Sequence, residues 1–280
     1  MSDRWLIVVL ATATLVVASL ILVIVGFLLA DSLGVLSRLG LAPFFADPGW
    51  HPTLGQYSVV PMIVASVLLM LGAIALAAPL AVLTAVFLNF YLPTGPAVIG
   101  RRIIEVLAGI PSVVYGLWGL VVLVPLIAAW QQPGASLIAG VFILMLMIFP
   151  TIAIVVDSGL KAVPKRYLEA SQALALSRAY TIRAVVLPAA KSSIAAGSTL
   201  GAARAIGETM AVMMVTGNIV RIPGDVFEPV RALTSNIALE MAYALGDHRG
   251  ALYVSSLLLL AVVALLVMIN EFFDDRRVRV

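Results

Sequence analysis

The chain has no cysteine, which removes disulfides, thiolate metal sites and cysteine nucleophiles together. Its two histidines, His51 and His248, stand apart from one another and from any cluster of carboxylates, so they read as ordinary loop residues and no metal site is expected. Charge is also scarce. Only 11% of the 280 residues are Asp, Glu, Lys or Arg, against about 25% in a soluble domain. No Gly-x-x-x-x-Gly-Lys-Ser/Thr run occurs, which excludes a Walker-type phosphate cradle. Neither His-Glu-x-x-His nor Gly-x-Ser-x-Gly is present, so neither of those signatures of an intramembrane enzyme is available.

What the chain does have is apolar residues, 62% of the total, in continuous runs of helical length. A membrane β-barrel would alternate apolar and polar residues instead. The expected fold is therefore an all-α polytopic membrane protein. Six transmembrane helices are predicted: Trp5–Ala30, Val59–Leu88, Ile103–Ala129, Ser136–Asp157, Ser192–Gly217 and Ala251–Asn270. Residues 1–58 form the first span and an external loop, 59–270 a core of five spans, and 271–280 a short tail. Pro79 and Pro150 are expected to kink their helices, and Pro111 to break or kink the third span.

Basic residues orient the spans. With the N-terminus inside, twelve Lys and Arg residues fall in inner segments, and Arg38, Arg221, Arg231 and Arg249 fall outside. Both termini are thus expected to be cytoplasmic, and the net charge of +3 reflects topology and not nucleic-acid binding. The two long outer segments, 31–58 and 219–250, either cap a pore and dock an external partner or simply connect helices.

Charges inside a span are costly and mark function by default. Arg204 and Glu208 lie one helical turn apart inside the fifth span, so each is the expected partner of the other. Gly197 and Gly201 stand four residues apart, a spacing that lets helix backbones approach closely, and Thr209 adds a hydroxyl beside Glu208. Arg offers an oxyanion two parallel hydrogen bonds. An ionised Glu accepts a hydrogen bond from the O–H that phosphate still carries near neutrality, and sulfate has no such proton to donate. The competing reading is a self-neutralising pair that fixes a helix interface. Glu105 and Asp157, near inner span ends, are expected to be solvated or locally paired.

The inner segment 159–191 is the least membrane-like interior stretch, with Pro164 opening a short amphipathic helix and Pro188 interrupting the chain before the fifth span. Glu169, Ala170 and Ser171, followed by Ile182 and then Leu187 and Pro188, resemble the EAA loop of ABC importer permeases. Ala175 occupies the position where that family usually has Gly, so a left-handed break there is disfavoured by ~1 kcal/mol, and the break is expected either to be gentler or to rely on tertiary contacts. Together with LAGIPSVVYGLWGL (107–120) and GAARAIGETMAV (201–212), this loop is similar to phosphate ABC importer permeases. FFADPGWHPTLGQY (44–57) resembles their C-type subunit, over roughly Phe44 to the last helix.

The resemblance implies a type I ABC importer permease fold in a bacterial inner membrane, with 159–191 as the coupling-helix loop. It also implies a paralogous second permease, two ATPase subunits that bind ATP-Mg, and an external phosphate-binding protein. No cofactor is expected on this chain. The resemblance assigns Arg204 and Glu208 to phosphate passage. A permease for molybdate or sulfate is the near alternative. A self-contained secondary transporter would show internal repeats, and none is found.

Overall fold

Long apolar helices dominate the computed structural model, which describes the backbone of residues 2–278 and the side chains of residues 5–268. Helices α1 (Ser2–Leu39), α3 (Val60–Phe90), α7 (Leu137–Lys161) and α14 (Gly246–Val278) each contain a stretch long and apolar enough to cross a bilayer. A further pair, α4 (Thr94–Gly109) and the segment 112–128, meets the same criteria only when counted together, across a bend of 90°. The side chains of Asp274 to Arg277, read from the sequence as a solvated tail, lie outside the described residues.

Two predicted spans are broken. The third span does not run smoothly through Pro111. Helix α4 stops at Gly109, Ile110 and Pro111 are extended, and a new helix starts at right angles. Proline both removes a backbone donor and pushes the preceding residue out of helical geometry, so a full corner forms instead of a kink. The second half is built from α5 (Ser112–Trp118), a wide π turn at 119–123 and α6 (Val124–Ala128). Pro79 and Pro150, by contrast, sit inside the uninterrupted helices α3 and α7. The fifth span is also divided, into α11 (Lys191–Ile206) and α12 (Met210–Val215).

Contacts group the chain into two units, residues 1–60 with 237–261 and residues 61–236 with 262–280. In the first, α1 runs nine residues past its predicted end, to Leu39. The external segment that follows is structured, with α2 (Ala42–Ala46), a hairpin pairing β1 (Trp50–His51) with β2 (Gln56–Tyr57), and Phe44 fully buried against the Tyr57 ring. Burial, and secondarily the Asp247 carboxylate, pushes the Tyr57 phenol above its ordinary pKa.

In the second unit α7 is the central element. Ile143, Leu144, Met147, Ile148, Ile152 and Val156 are all buried on it. The free N–H groups of its first turn are satisfied from outside the helix. Ser136 donates to the Val215 carbonyl, Leu137 to Glu228 and Ile138 to Val226, and the Ser136 hydroxyl caps Ala139.

Apolar helices gain little by leaving lipid for one another, so close backbone packing has to hold them. The α7–α11 seam shows how. A Cβ on Gly201 would meet Ile152 at 2.8 Å, and one on Gly159 would meet the Ser193 Cβ at 2.2 Å. Gly159→Ala is therefore expected to destabilise the unit by about 1–3 kcal/mol, the usual cost of overpacking. The double variant with Ser193→Gly should recover most of that loss. Thermal unfolding in detergent would show it, and an additive pair of effects would exclude direct contact.

Candidate functional site

Gly197 and Gly201 both face α7, as their spacing predicts, with Val155 and Ile152 as the packed neighbours. Three residues beyond Gly201, Arg204 is half-buried, and its Nη1 donates to the hydroxyl of Thr151 on α7 at 2.6 Å. Among the described residues Arg204 and Glu208 form no ion pair with one another. The expected i, i+4 pair does not form because the helix ends between them, at Gly207. Glycine is among the poorest helix formers, and the carboxylate that follows it finds a better use than a salt bridge.

That use is a cap. Glu208 Oε1 accepts the Ala211 backbone N–H at 3.0 Å, covering one of the free donors at the start of α12. The Glu208 carbonyl accepts the hydroxyl of Thr234, on α13 (Leu233–Glu240), at 2.9 Å. Its second carboxylate oxygen makes no hydrogen bond among the described residues. Thr209 follows, half-buried, with its hydroxyl 3.4 Å from the Gly207 carbonyl, while Thr199 bonds back to Ala195 on its own helix. The result is an interrupted helix. It has a guanidinium before the break, a carboxylate in it, and an exposed Gly207 between them. A guanidinium held through one nitrogen keeps other N–H groups for an oxyanion, and a carboxylate oxygen remains for a proton-bearing guest.

Thr151 escaped the sequence reading. The signal for it was slight: one hydroxyl beside Pro150, the sole polar side chain between Leu137 and Val156.

The segment 159–191 forms the predicted amphipathic helix, α8 (Lys165–Ala173), and then α9 (Arg178–Thr181), a π turn at 182–186 and α10 (Leu187–Ala189). Glu169 and Ala170 are exposed on α8. Ser171 is buried and donates its hydroxyl to the Tyr167 carbonyl at 2.8 Å. Leu187 is half-buried and Pro188 exposed in the first turn of α10.

The gentler turn, one of the two outcomes expected at Ala175, is not observed. Ala175 takes the left-handed conformation, with φ at 50°. Leu176 donates to the Ser171 carbonyl at 3.0 Å and Ala175 to Gln172 at 2.9 Å, the two bonds of a Schellman ending. Ser177 then caps α9. Two satisfied carbonyls outweigh the Cβ strain, which is ~1 kcal/mol. Ala175 is exposed, so Ala175→Gly removes that strain without losing packing. A stability gain of about 1 kcal/mol or less is expected, reduced by the greater freedom of unfolded Gly. Hydrogen exchange across 171–178 would report it as stronger protection.

Asp157 is a second departure. It is neither solvated nor merely locally paired. It is buried and gathers Asn89 from α3 at 2.7 Å, the Nε of Arg101 from α4 at 3.1 Å, and Lys161 one turn on. Arg101 also donates to Asn89 Oδ1 at 3.0 Å, so three helices share one polar knot beside a cavity of about 140 Å³. Glu105 lines that cavity and is exposed, as expected.

His248 is likewise not an isolated loop residue. It sits in the first turn of α14, with Nε2 2.8 Å from Glu240 Oε2, and the Trp50 indole donates to the same oxygen at 2.7 Å. The fold brings together residues 190 positions apart, which no spacing in the chain announces.

The family described as binding-protein-dependent transport system inner membrane component matches residues 77–280. The probable ABC transporter permease protein YqgH of Bacillus subtilis is 36% identical over 85% of this chain and 80% of its own length. The phosphate transport system permease protein PstC of Mesorhizobium japonicum is 32% identical over 88% of this chain and 81% of its own. Among solved structures, a bacterial alginate ABC transporter bound to its periplasmic protein has a chain that superposes with a TM-score of 0.61. The identity is 15%, and 94% of each chain is covered. A chain of the MetNI methionine ABC transporter in an inward-facing form gives 0.59 at 18% identity, over 77% of this chain and 92% of its own.

Proposed function

Because the chain belongs to the family of inner membrane components of binding-protein-dependent transport systems, we propose that it is the transmembrane pore subunit of an ATP-driven importer of inorganic phosphate. Relatives named as phosphate permeases, about 30% identical over most of the chain, support the substrate. The observation that carries the reading is the interrupted helix. Arg204 is held by Thr151 from one side and keeps donors for an oxyanion, while Glu208 keeps one acceptor for an acidic O–H. A site that is close to neutral overall binds an anion weakly, which suits a conduit more than a receptor.

In this reading exposed Glu169, Ala170, Ala175 and Pro188 form the surface that a separate ATPase subunit grips, and buried Ser171 and half-buried Leu187 support it from beneath. The permease pairs with a paralogous second permease above two such ATPases, each holding ATP-Mg. A phosphate-binding protein delivers the ion from outside, and both termini face the cytoplasm. With no phosphate cradle of its own in the sequence, the chain takes its energy from those partners.

The test is uptake of labelled phosphate by the assembled importer, with sulfate and molybdate as competitors. Phosphate alone should compete at equal concentration. Equal competition by sulfate would assign the pore to oxyanions in general, and transport without ATP would exclude an ABC importer. Pull-down of the tagged chain should bring an ATPase and a second permease with it.

A further inference from the structure

Within the first unit, α1 and α14 enclose an open cavity of about 410 Å³ lined by Phe27, Asp31, Arg38, Arg249 and Tyr253, among others. It lies where the apolar part of α1 gives way to polar residues, the depth at which lipid headgroups sit. Two of its three charged side chains are uncommitted in different ways. Arg38 is already tied to Asp247. Arg249 rests over the Tyr253 ring, 5.9 Å from its centre, and gives only its Nε to the Tyr253 hydroxyl, at 3.3 Å. Asp31 makes no hydrogen bond or ion pair among the described residues. The cavity thus presents one cation and one anion with hydrogen-bonding capacity to spare.

We infer that this cavity binds the headgroup of a zwitterionic phospholipid with a primary ammonium, its phosphodiester on Arg249 and its ammonium on Asp31. A simple anion satisfies Arg249 but meets repulsion from Asp31. A primary ammonium donates charge-assisted hydrogen bonds to a carboxylate, and a quaternary one has no proton to give. The surface below the cavity suits acyl chains. Leu20, Ile24, Phe27, Asp31, Gly34 and Arg38 recur at helical spacing and so share one face of α1. The first three remain more than half exposed. Phe27 packs edge-on against Tyr253, with ring centres 5.6 Å apart, and forms the floor between headgroup and tails. Gly250 allows the two helices to meet above, where its missing Cβ would otherwise strike Val35 at 1.9 Å.

The experiment is native mass spectrometry of the delipidated, fully assembled importer, titrated with phosphatidylethanolamine, phosphatidylcholine, phosphatidylglycerol and inorganic phosphate. Phosphatidylethanolamine should bind tightest. Arg249→Gln should weaken it about tenfold, as loss of a charge-assisted bond requires. Asp31→Asn should erase its advantage over phosphatidylglycerol. At Gly34 an added Cβ meets nothing within 4 Å, so Gly34→Trp should fill the cavity and expel the lipid from an intact complex. Tight phosphatidylglycerol binding to the unmodified protein, displacement of lipid by inorganic phosphate, or wild-type affinity in these variants would each overturn the assignment.

Discussion

Arg204→Gln is expected to lower phosphate uptake at least tenfold while leaving the assembled importer intact. A glutamine retains a donor for Thr151 but loses the charge and the planar fork, and a charge-assisted hydrogen bond contributes about 1.5–3 kcal/mol. Because Arg204 is half-buried and its packing neighbour on α7 is a hydroxyl, the neutral substitute leaves no stranded charge behind. Glu208→Gln should act differently. Its amide oxygen can still accept the Ala211 N–H, so the α12 start survives. What disappears is the anionic acceptor, and sulfate should compete better than before. Labelled uptake with assembly checked by pull-down separates the two effects. Unchanged transport in both variants would leave Arg204 and Glu208 as structural residues, with the interrupted helix a packing device only.

The second large effect should come from Asp157→Ala. The carboxylate receives donors from Asn89, Arg101 and Lys161, and its removal strands the Arg101 guanidinium, whose side chain is only 23% exposed. Breaking such a pair from one side costs about 3–5 kcal/mol in well-buried cases. The partial exposure of Arg101 and the 49% exposure of Lys161 place this one near the lower end. Removing both charges, as in Arg101→Met with Asp157→Leu, should cost less than Asp157→Ala alone, because nothing buried is then left uncompensated. Thermal unfolding of the purified subunit assembly carrying Asp157→Ala, the double variant, or Arg101→Met or Asp157→Leu alone gives the values to compare. Additive losses in the double variant would show that the knot does not act as a unit. Because the same residues tie α3, α4 and α7 together just before α8 begins, Asp157→Ala should also weaken the link between ATP hydrolysis and uptake.

The readings that survived from sequence rest on composition and on strong local periodicity. Continuous apolar runs force helices, because lipid offers no hydrogen-bond partners for a bare backbone. Small residues four apart, at Gly197 and Gly201, predicted a tight seam and found one against Ile152 and Val155. Pro164, read as the opening of a short amphipathic helix, stands one residue before α8 begins. The misreadings are of another kind. Arg204 and Glu208 looked like a pair because i, i+4 spacing means proximity only while the helix continues, and Gly207 ends it. Ala175 looked too costly for a left-handed turn because single-residue strain was weighed without the two carbonyls the turn satisfies.

By itself the sequence determined that this chain lives in a bilayer as helices, and where its scarce charges lie along the chain. Those are consequences of solvation and spacing, which act on each residue locally. Only the tertiary structure decided which charge meets which partner: Thr151 for Arg204, the start of α12 for Glu208, three helices for Asp157, and Trp50 with His248 for Glu240. A polar group removed from water takes the best-placed partner that the fold brings to it, and that partner comes from helices whose meeting no local pattern records.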